Sequence, residues 1–233
     1  MKRNSALLLF VLTSLQFFSQ VNLQRFYEGG KPGYKNPGSG QVIVQVGKYD
    51  AGSEFKDGYA LVLKGNLRGF IDGSGNEVIP VQYSDASVFY EGLARVTKDG
   101  KSGYIDIHNV RAIPFQFEQA DDFTNGMARV KKDGKYGFID KTGNVVIPIQ
   151  FEMARNFSEG LASVKSGNKF GFIDTKGKLV LKAKYDDALP FSNGEALVRI
   201  GKDMWVINSK GKKLRQQKNQ EEEENKEQHR KSH

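Results

Sequence analysis

The sequence predicts an all-β protein built from tandem 34-residue units of three strands each, forming either an open superhelical β array or a propeller-like ring. Three observations carry that prediction. First, the chain repeats without a gap: Phe55, Phe89, Phe123, Phe157 and Phe191 stand 34 residues apart. Columns headed by Gly58, Ala60 and Val62 keep the same step. A fixed period of this size marks units that cannot bury an apolar face alone and share a core with their neighbours. Second, apolar residues recur two apart, as in Ala60 and Val62 or Ile79, Val81 and Tyr83, which places them on one side of a strand. Third, glycines punctuate each unit; Gly58, Gly69, Gly73 and Gly75 fall within one of them, and each would cost about 1 kcal/mol in a helix interior.

The first segment, residues 1–20, reads as a signal peptide. Lys2 and Arg3 precede a compact apolar stretch from Ala6 to Phe18, too short and too interrupted by Thr13, Ser14 and Gln16 to span a membrane. Residues 21–54 form a degenerate first repeat, in which Gly33-Tyr34, Val42 to Val44 and Tyr49 echo later units. Five repeats follow over 55–210: 55–88, 89–122, 123–156, 157–190 and a truncated cap, 191–210. In the second of these the strands are expected near 92–97, 102–106 and 110–115, with a loop containing Phe117 and Ala120 leading onward. Asp99-Gly100 and Asp133-Gly134 sit between extended runs and predict tight hairpins. A second turn begins at Asp72, Asp106, Asp140, Asp174 and Asn208. Gly75, Asn109, Gly143, Gly177 and Gly211 stand three residues on, a spacing that predicts a structural Asx turn closed by a residue tolerant of positive φ. Residues 211–233, with Glu221 to Glu224 and no apolar residue after Leu214, read as a disordered polar tail.

Composition excludes several kinds of chemistry. The 233 residues include no cysteine, so thiol catalysis, thiolate metal sites and disulfides are ruled out; His108, His229 and His233 are the only histidines. No metal site and no cofactor is expected. The formal charge of +8 is spread along the chain, with 26 basic and 22 acidic residues between 21 and 210, so no nucleic-acid partner is expected. Gly100-Lys101-Ser102 mimics the end of a phosphate-binding loop, but that pattern needs glycine where Arg95 stands. Asn156-Phe157-Ser158 fits a glycosylation sequon formally, yet its middle residue belongs to a core column.

The unit from Phe123 to Asn156, FTNGMARVKKDGKYGFIDKTGNVVIPIQFEMARN, resembles the WG (KWG) repeat family, whose pattern is F-x-x-G-L-A-x-V, then G-K-W-G-Y-I-D, then V-I-P-x-x-Y. The resemblance covers 55–210 and departs at the tryptophan. That column holds Arg68, Ser102, Tyr136, Phe170 and Met204, while the single tryptophan, Trp205, occupies the glycine column of the last unit. The resemblance implies a mostly bacterial, often exported binding or scaffold module with no defined catalytic centre. A column free to vary is expected to be exposed, which makes Tyr136, Phe170, Trp205 and Arg68 the expected ligand-contacting patch.

The functional expectation is therefore a secreted, periplasmic or cell-surface module, non-catalytic, recognising protein or cell-envelope glycan, with no transmembrane segment after signal cleavage. The alternative is an envelope-associated hydrolase using a carboxylate pair drawn from unpaired groups such as Asp121, Asp122 or Glu152, placed about 5–10 Å apart. A spacer without a specific ligand is the third reading.

Overall fold

The structure, a computed structural model, describes residues 22–217; the expected signal peptide at 1–20 and the end of the tail lie outside the described residues. Every described element is a strand. The first sheet contains β1 (Gln24–Glu28), β2 (Lys31–Lys35) and β3 (Val42–Val44). The second contains β4 (Ala51–Gly52), β5 (Tyr59–Lys64), β6 (Leu67–Asp72) and β7 (Glu77–Tyr83), and the third β8 (Asp85–Ala86), β9 (Ala94–Lys98), β10 (Lys101–Ile105) and β11 (Arg111–Phe117). The fourth has β12 (Gln119–Ala120), β13 (Met127–Lys132), β14 (Lys135–Asp140) and β15 (Val145–Phe151). The fifth has β16 (Met153–Ala154), β17 (Leu161–Ser166), β18 (Lys169–Asp174) and β19 (Leu179–Tyr185), and the sixth β20 (Asp187–Ala188), β21 (Glu195–Ile200), β22 (Asp203–Asn208) and β23 (Lys213–Gln217). In each sheet the strands follow chain order and all pairs are antiparallel.

Each full sheet has one strand more than the sequence predicts. The segment read as a loop around Phe117 and Ala120 is strand on both sides of Glu118: Phe117 ends β11, and Gln119 and Ala120 pair with Lys131 and Val130 of the next unit. Backbone bonds from Glu118 N to Lys131 O and from Asp121 N to Arg129 O extend that pairing. A single residue thus separates the outer strand of one sheet from the inner strand of the next. The tail also starts later than expected, because Lys213–Gln217 pair with β22 as β23.

The turns follow from local chemistry. Asp99 and Gly100 both take positive φ, as do Asp133 and Gly134, the conformation a two-residue type I′ hairpin requires. At the second turn, Oδ1 of Asp72 accepts from Ser74 N and Asn76 N, and the same two bonds recur at Asp106, Asp140, Asp174 and Asn208. Asn109, with φ 61°, fills the position that glycine holds elsewhere.

The core lies between sheets. Phe70, Ile79 and Tyr83 of one unit pack on Ala86, Phe89, Ala94, Val96 and Ile105 of the next, and the other clusters repeat this division. Two aromatic columns meet across every interface: Phe70–Phe89, Tyr104–Phe123, Phe138–Phe157 and Phe172–Phe191 have centroids 4.7–4.9 Å apart. Such pairs contribute about 0.5–1.5 kcal/mol beyond area burial.

The glycine column of Gly69, Gly103, Gly137 and Gly171 has a steric cause. A Cβ on Gly69 would lie 2.5 Å from Ile79 O, on Gly103 2.6 Å from Ile113 O, on Gly137 2.7 Å from Ile147 O and on Gly171 2.5 Å from Leu181 O. The outer strand bulges over that glycine: Tyr136 pairs with Phe151 and Phe138 with Ile147, two residues against four. Pro80, Pro114 and Pro148 sit in these bulges, where an N–H has no ladder partner to lose. In the last sheet the bulge opposite the glycine column is gone and only the shift between Val206 and Ile207 remains: Met204, Trp205 and Val206 pair evenly with Gln217, Gln216 and Arg215, because an indole admits no such close approach.

A second pairing links consecutive units. Tyr83 donates its hydroxyl to Asn109 Oδ1 at 2.7 Å, whereas the following units carry Phe117 and Phe151 in the tyrosine column and Gly143 and Gly177 in the asparagine column. Tyr185 faces Gly211, and its buried hydroxyl has no partner among the described residues. Gly211→Asn is expected to supply one, at a φ of +75° that asparagine tolerates, raising the melting temperature by about 2–4 °C for about 1 kcal/mol. Thermal unfolding of the variant beside Tyr185→Phe, expected to be near neutral, checks this; a lower melting temperature for Gly211→Asn would refute the match.

Candidate functional site

The candidate site is a polar cleft of about 370 Å³ where units 89–122 and 123–156 meet. Each residue reaches it by its place in the repeat. The inner strand β12 delivers Ala120, and the chain leaving it presents Asp121 and Asp122. The next unit offers Asn156 at the position of Asp122, and the tight turns before β9 and β13 contribute Tyr90 and Thr124. Arg95 projects from β9. A recess of about 40 Å³ continues from Asp122, Thr124 and Asn156 down to Met127, Arg129 and the Phe138–Phe157 pair, giving the polar cleft an apolar floor.

The charges on its walls are matched locally. Arg95 donates to Asp85 Oδ2 at 2.6 Å and holds Nε 3.8 Å from Asp122 Oδ1. Arg129 Nε donates to Asp121 Oδ2 at 2.8 Å, and its Nη1 donates to Ala154 O on β16 of the following sheet. Burial pushes the Asp85 carboxyl up, but the hydrogen bond from Arg95 and the charges of Arg95 and Arg68 outweigh it and hold the group below its ordinary value. Burial, reinforced by the charges of Asp121 and Asp122, pushes the Tyr104 phenol well above its ordinary value; it stays a donor, to Asp121 O at 2.5 Å. The Tyr90 ring is capped by Lys56 Nζ at 3.3 Å. One acceptor is left over: Asp122 Oδ1 is buried and has no hydrogen-bond partner.

None of the four residues expected to contact a ligand lines this cleft. Of the four residues expected to form an exposed patch, Phe170 is buried at 6 % exposure in the core between the last two sheets, because its partner in the pairing, Tyr185, draws it inward. Ser102, in the same column, is also buried. Tyr136 is half-buried, donates to Gln119 Oε1 and lies under Arg129 and Lys131. Trp205 is half-buried beneath Lys213 Nζ at 3.9 Å. Arg68 donates to Ser84 O and lies 3.5 Å from Asp85, which ties it to Arg95 at the edge of the cleft. These residues sit on four different sheets, and only Phe170 and Trp205 share a packed cluster.

The premise of unpaired carboxylates also needs correction. Asp121 and Asp122 do share one cleft, but Asp121 is bonded to Arg129, and Glu152 lies outside it between Lys135 and Lys165, each at 3.9 Å. Among the described residues no group of three or more potential metal ligands comes together. The missed signal was in the columns themselves. Ser53, Ser87, Asp121, Arg155 and Leu189 make one, and Glu54, Val88, Asp122, Asn156 and Pro190 the next; both vary as freely as the tryptophan column.

A family model described as "WG containing repeat" matches the chain five times, at residues 33–67, 69–101, 103–136, 136–170 and 170–203. None of the curated proteins matches it. Among solved structures, Hsv2p of Kluyveromyces lactis is 13 % identical over 80 % of this chain and 71 % of its own, with a TM-score of 0.47. AztD of Citrobacter koseri is 12 % identical over 85 % and 73 %, with a TM-score of 0.38. A Bacteroides caccae protein described as of unknown function is 15 % identical over 83 % and 92 %, with a TM-score of 0.31.

Proposed function

We propose that this chain, which belongs to the family of WG-containing repeats, is an exported, non-catalytic binding module that takes a hydroxyl-rich glycan of the cell envelope into the cleft between its central units. The observation that carries this reading is the local neutrality of the cleft. Arg68 and Arg95 answer Asp85 and Asp122, and Arg129 answers Asp121, three charges of each sign, so the walls offer donors and acceptors without a net charge for an ionic ligand to meet. Planar carboxylate, amide and guanidinium groups pair with neighbouring hydroxyls, the free Asp122 Oδ1 accepts one, and Tyr90 supplies an aromatic edge. Export rests on the N-terminal segment, with Lys2 and Arg3 before the apolar run.

The test is a screen of the purified full chain against envelope glycans and proteins, followed by titration calorimetry. Asp122→Asn combined with Asn156→Ala is expected to weaken glycan binding by at least about tenfold while leaving the melting temperature within a few degrees. Unchanged affinity would place the ligand elsewhere. The hydrolase reading is favoured by one observation, that Asp121 and Asp122 line the same cleft. It demands release of reducing ends from the bound glycan, abolished by Asp122→Asn; binding without turnover supports the module.

A further inference from the structure

We propose that the outer strands and turns of the last two sheets form a face that docks on an anionic lipid bilayer. The repeat supplies its own reference for how unusual this face is. At one turn position the earlier units carry Ser74, His108 and Thr142, and the last two carry Lys176 and Lys210. Two residues on, Asn76, Val110 and Asn144 give way to Lys178 and Lys212. On the outer strand, the bulge prolines are followed in β19 by Lys182, and Gln82, Gln116 and Gln150 by Lys184. Four columns that hold no lysine or arginine through three units thus become lysine where the array ends, and Lys213 adds one more. All seven lysines are exposed, and none has an ion-pair partner among the described residues.

The two turns and strands make one surface. The turn at Gly211 packs on β19, its Cβ position lying 3.1 Å from Leu181 and 3.5 Å from the Tyr185 hydroxyl, which brings Lys210 and Lys212 against the strand bearing Lys182 and Lys184. Apolar side chains are interleaved with the charge: Leu179 and Val180 on β19 and Leu214 on β23 are exposed, and Trp205 lies half-buried beneath Lys213. A soluble polyanion needs only the lysines. Leucine, valine and an indole among them suit a bilayer interface, where cations meet headgroups and apolar groups enter the acyl boundary.

Because Trp205 is the only tryptophan, its emission reports on this face alone. The full chain is mixed with vesicles of phosphatidylglycerol and phosphatidylcholine in equal parts, and with phosphatidylcholine alone. A blue shift and quenching by brominated lipid are expected with the anionic vesicles only, and both weaken as salt rises. Lys182→Gln/Lys184→Gln/Lys210→Thr/Lys212→Asn is expected to lose about 100-fold in vesicle affinity, against less than about threefold for Lys64→Gln/Lys98→Gln/Lys101→Gln/Lys135→Gln. The apolar segment at 6–18 is common to every variant, so the difference reads the lysines. No Trp205 shift on anionic vesicles, equal losses in the two variants, or tight binding to inorganic polyphosphate with no vesicle response would each overturn the proposal. None of these results bears on the glycan cleft, whose residues are unchanged.

Discussion

Gly137→Ala is expected to lower stability by about 3 kcal/mol or more, a fall in melting temperature of about 6–12 °C for a chain of this size. The backbone conformation of Gly137 is ordinary, so the cost is purely one of space. Its Cβ would lie 2.7 Å from Ile147 O and 2.7 Å from Ile149 Cα, and backbone atoms cannot rotate aside as a side chain does. The outer strand β15 must lift away from β14 at its bulge, losing the pairing between Phe138 and Ile147. Hydrogen exchange is expected to quicken in β15 and β16, since Phe151 and Ala154 belong to the core that β15 helps close. A variant as stable as the parent would show that the bulge is not the reason for glycine here. Trp205→Gly provides the converse measurement: if the glycine alone creates the bulge, it is expected to reappear between β22 and β23.

Phe123→Ala is expected to cost about 3–5 kcal/mol. Phe123 is 2 % exposed, packs on Tyr104 with centroids 4.7 Å apart, and belongs to the core cluster between the third and fourth sheets. Its loss leaves a cavity between units 89–122 and 123–156, so unfolding by denaturant is expected to separate into two transitions as the array breaks there. Phe157→Ala, at a partly exposed position, is expected to cost less, and the comparison of the two by urea titration tests whether the interface rather than the unit is the stabilising element.

Most of the fold was legible because the period and the turns are written in residue types with few substitutes. Asp72 and its equivalents, the positive-φ position that admits Asn109, and the alternation of Ala60 with Val62 all dictate local geometry without help from distant parts of the chain. The short inner strand was not legible. Gln119 and Ala120 have no strand character of their own, and they become one only by borrowing Lys131 and Val130 from the following unit. The site was hidden for a related reason. Arg95, Asp121, Thr124 and Asn156 lie in two units and are joined by the stacking of sheets, so no spacing along the chain reveals them. Phe170 misled because variation in a column reports tolerance at that position, and its burial here is decided by a partner on β19.

The match of Tyr83 with Asn109, and of Phe117 and Phe151 with Gly143 and Gly177, bears on how such arrays are copied and recombined. The two halves of each match lie in successive units, so a duplication that inserts one whole copy leaves its neighbours with mismatched halves. A Tyr-bearing copy placed ahead of a Gly-bearing one strands a phenol, as Tyr185 already does, unless a second acceptor stands by, as Glu77 does for Tyr49 ahead of Gly75. Shuffled or consensus versions of this array will therefore keep their stability only when the break points fall between position 109 or its counterparts and the following aromatic, so that lock and key travel together.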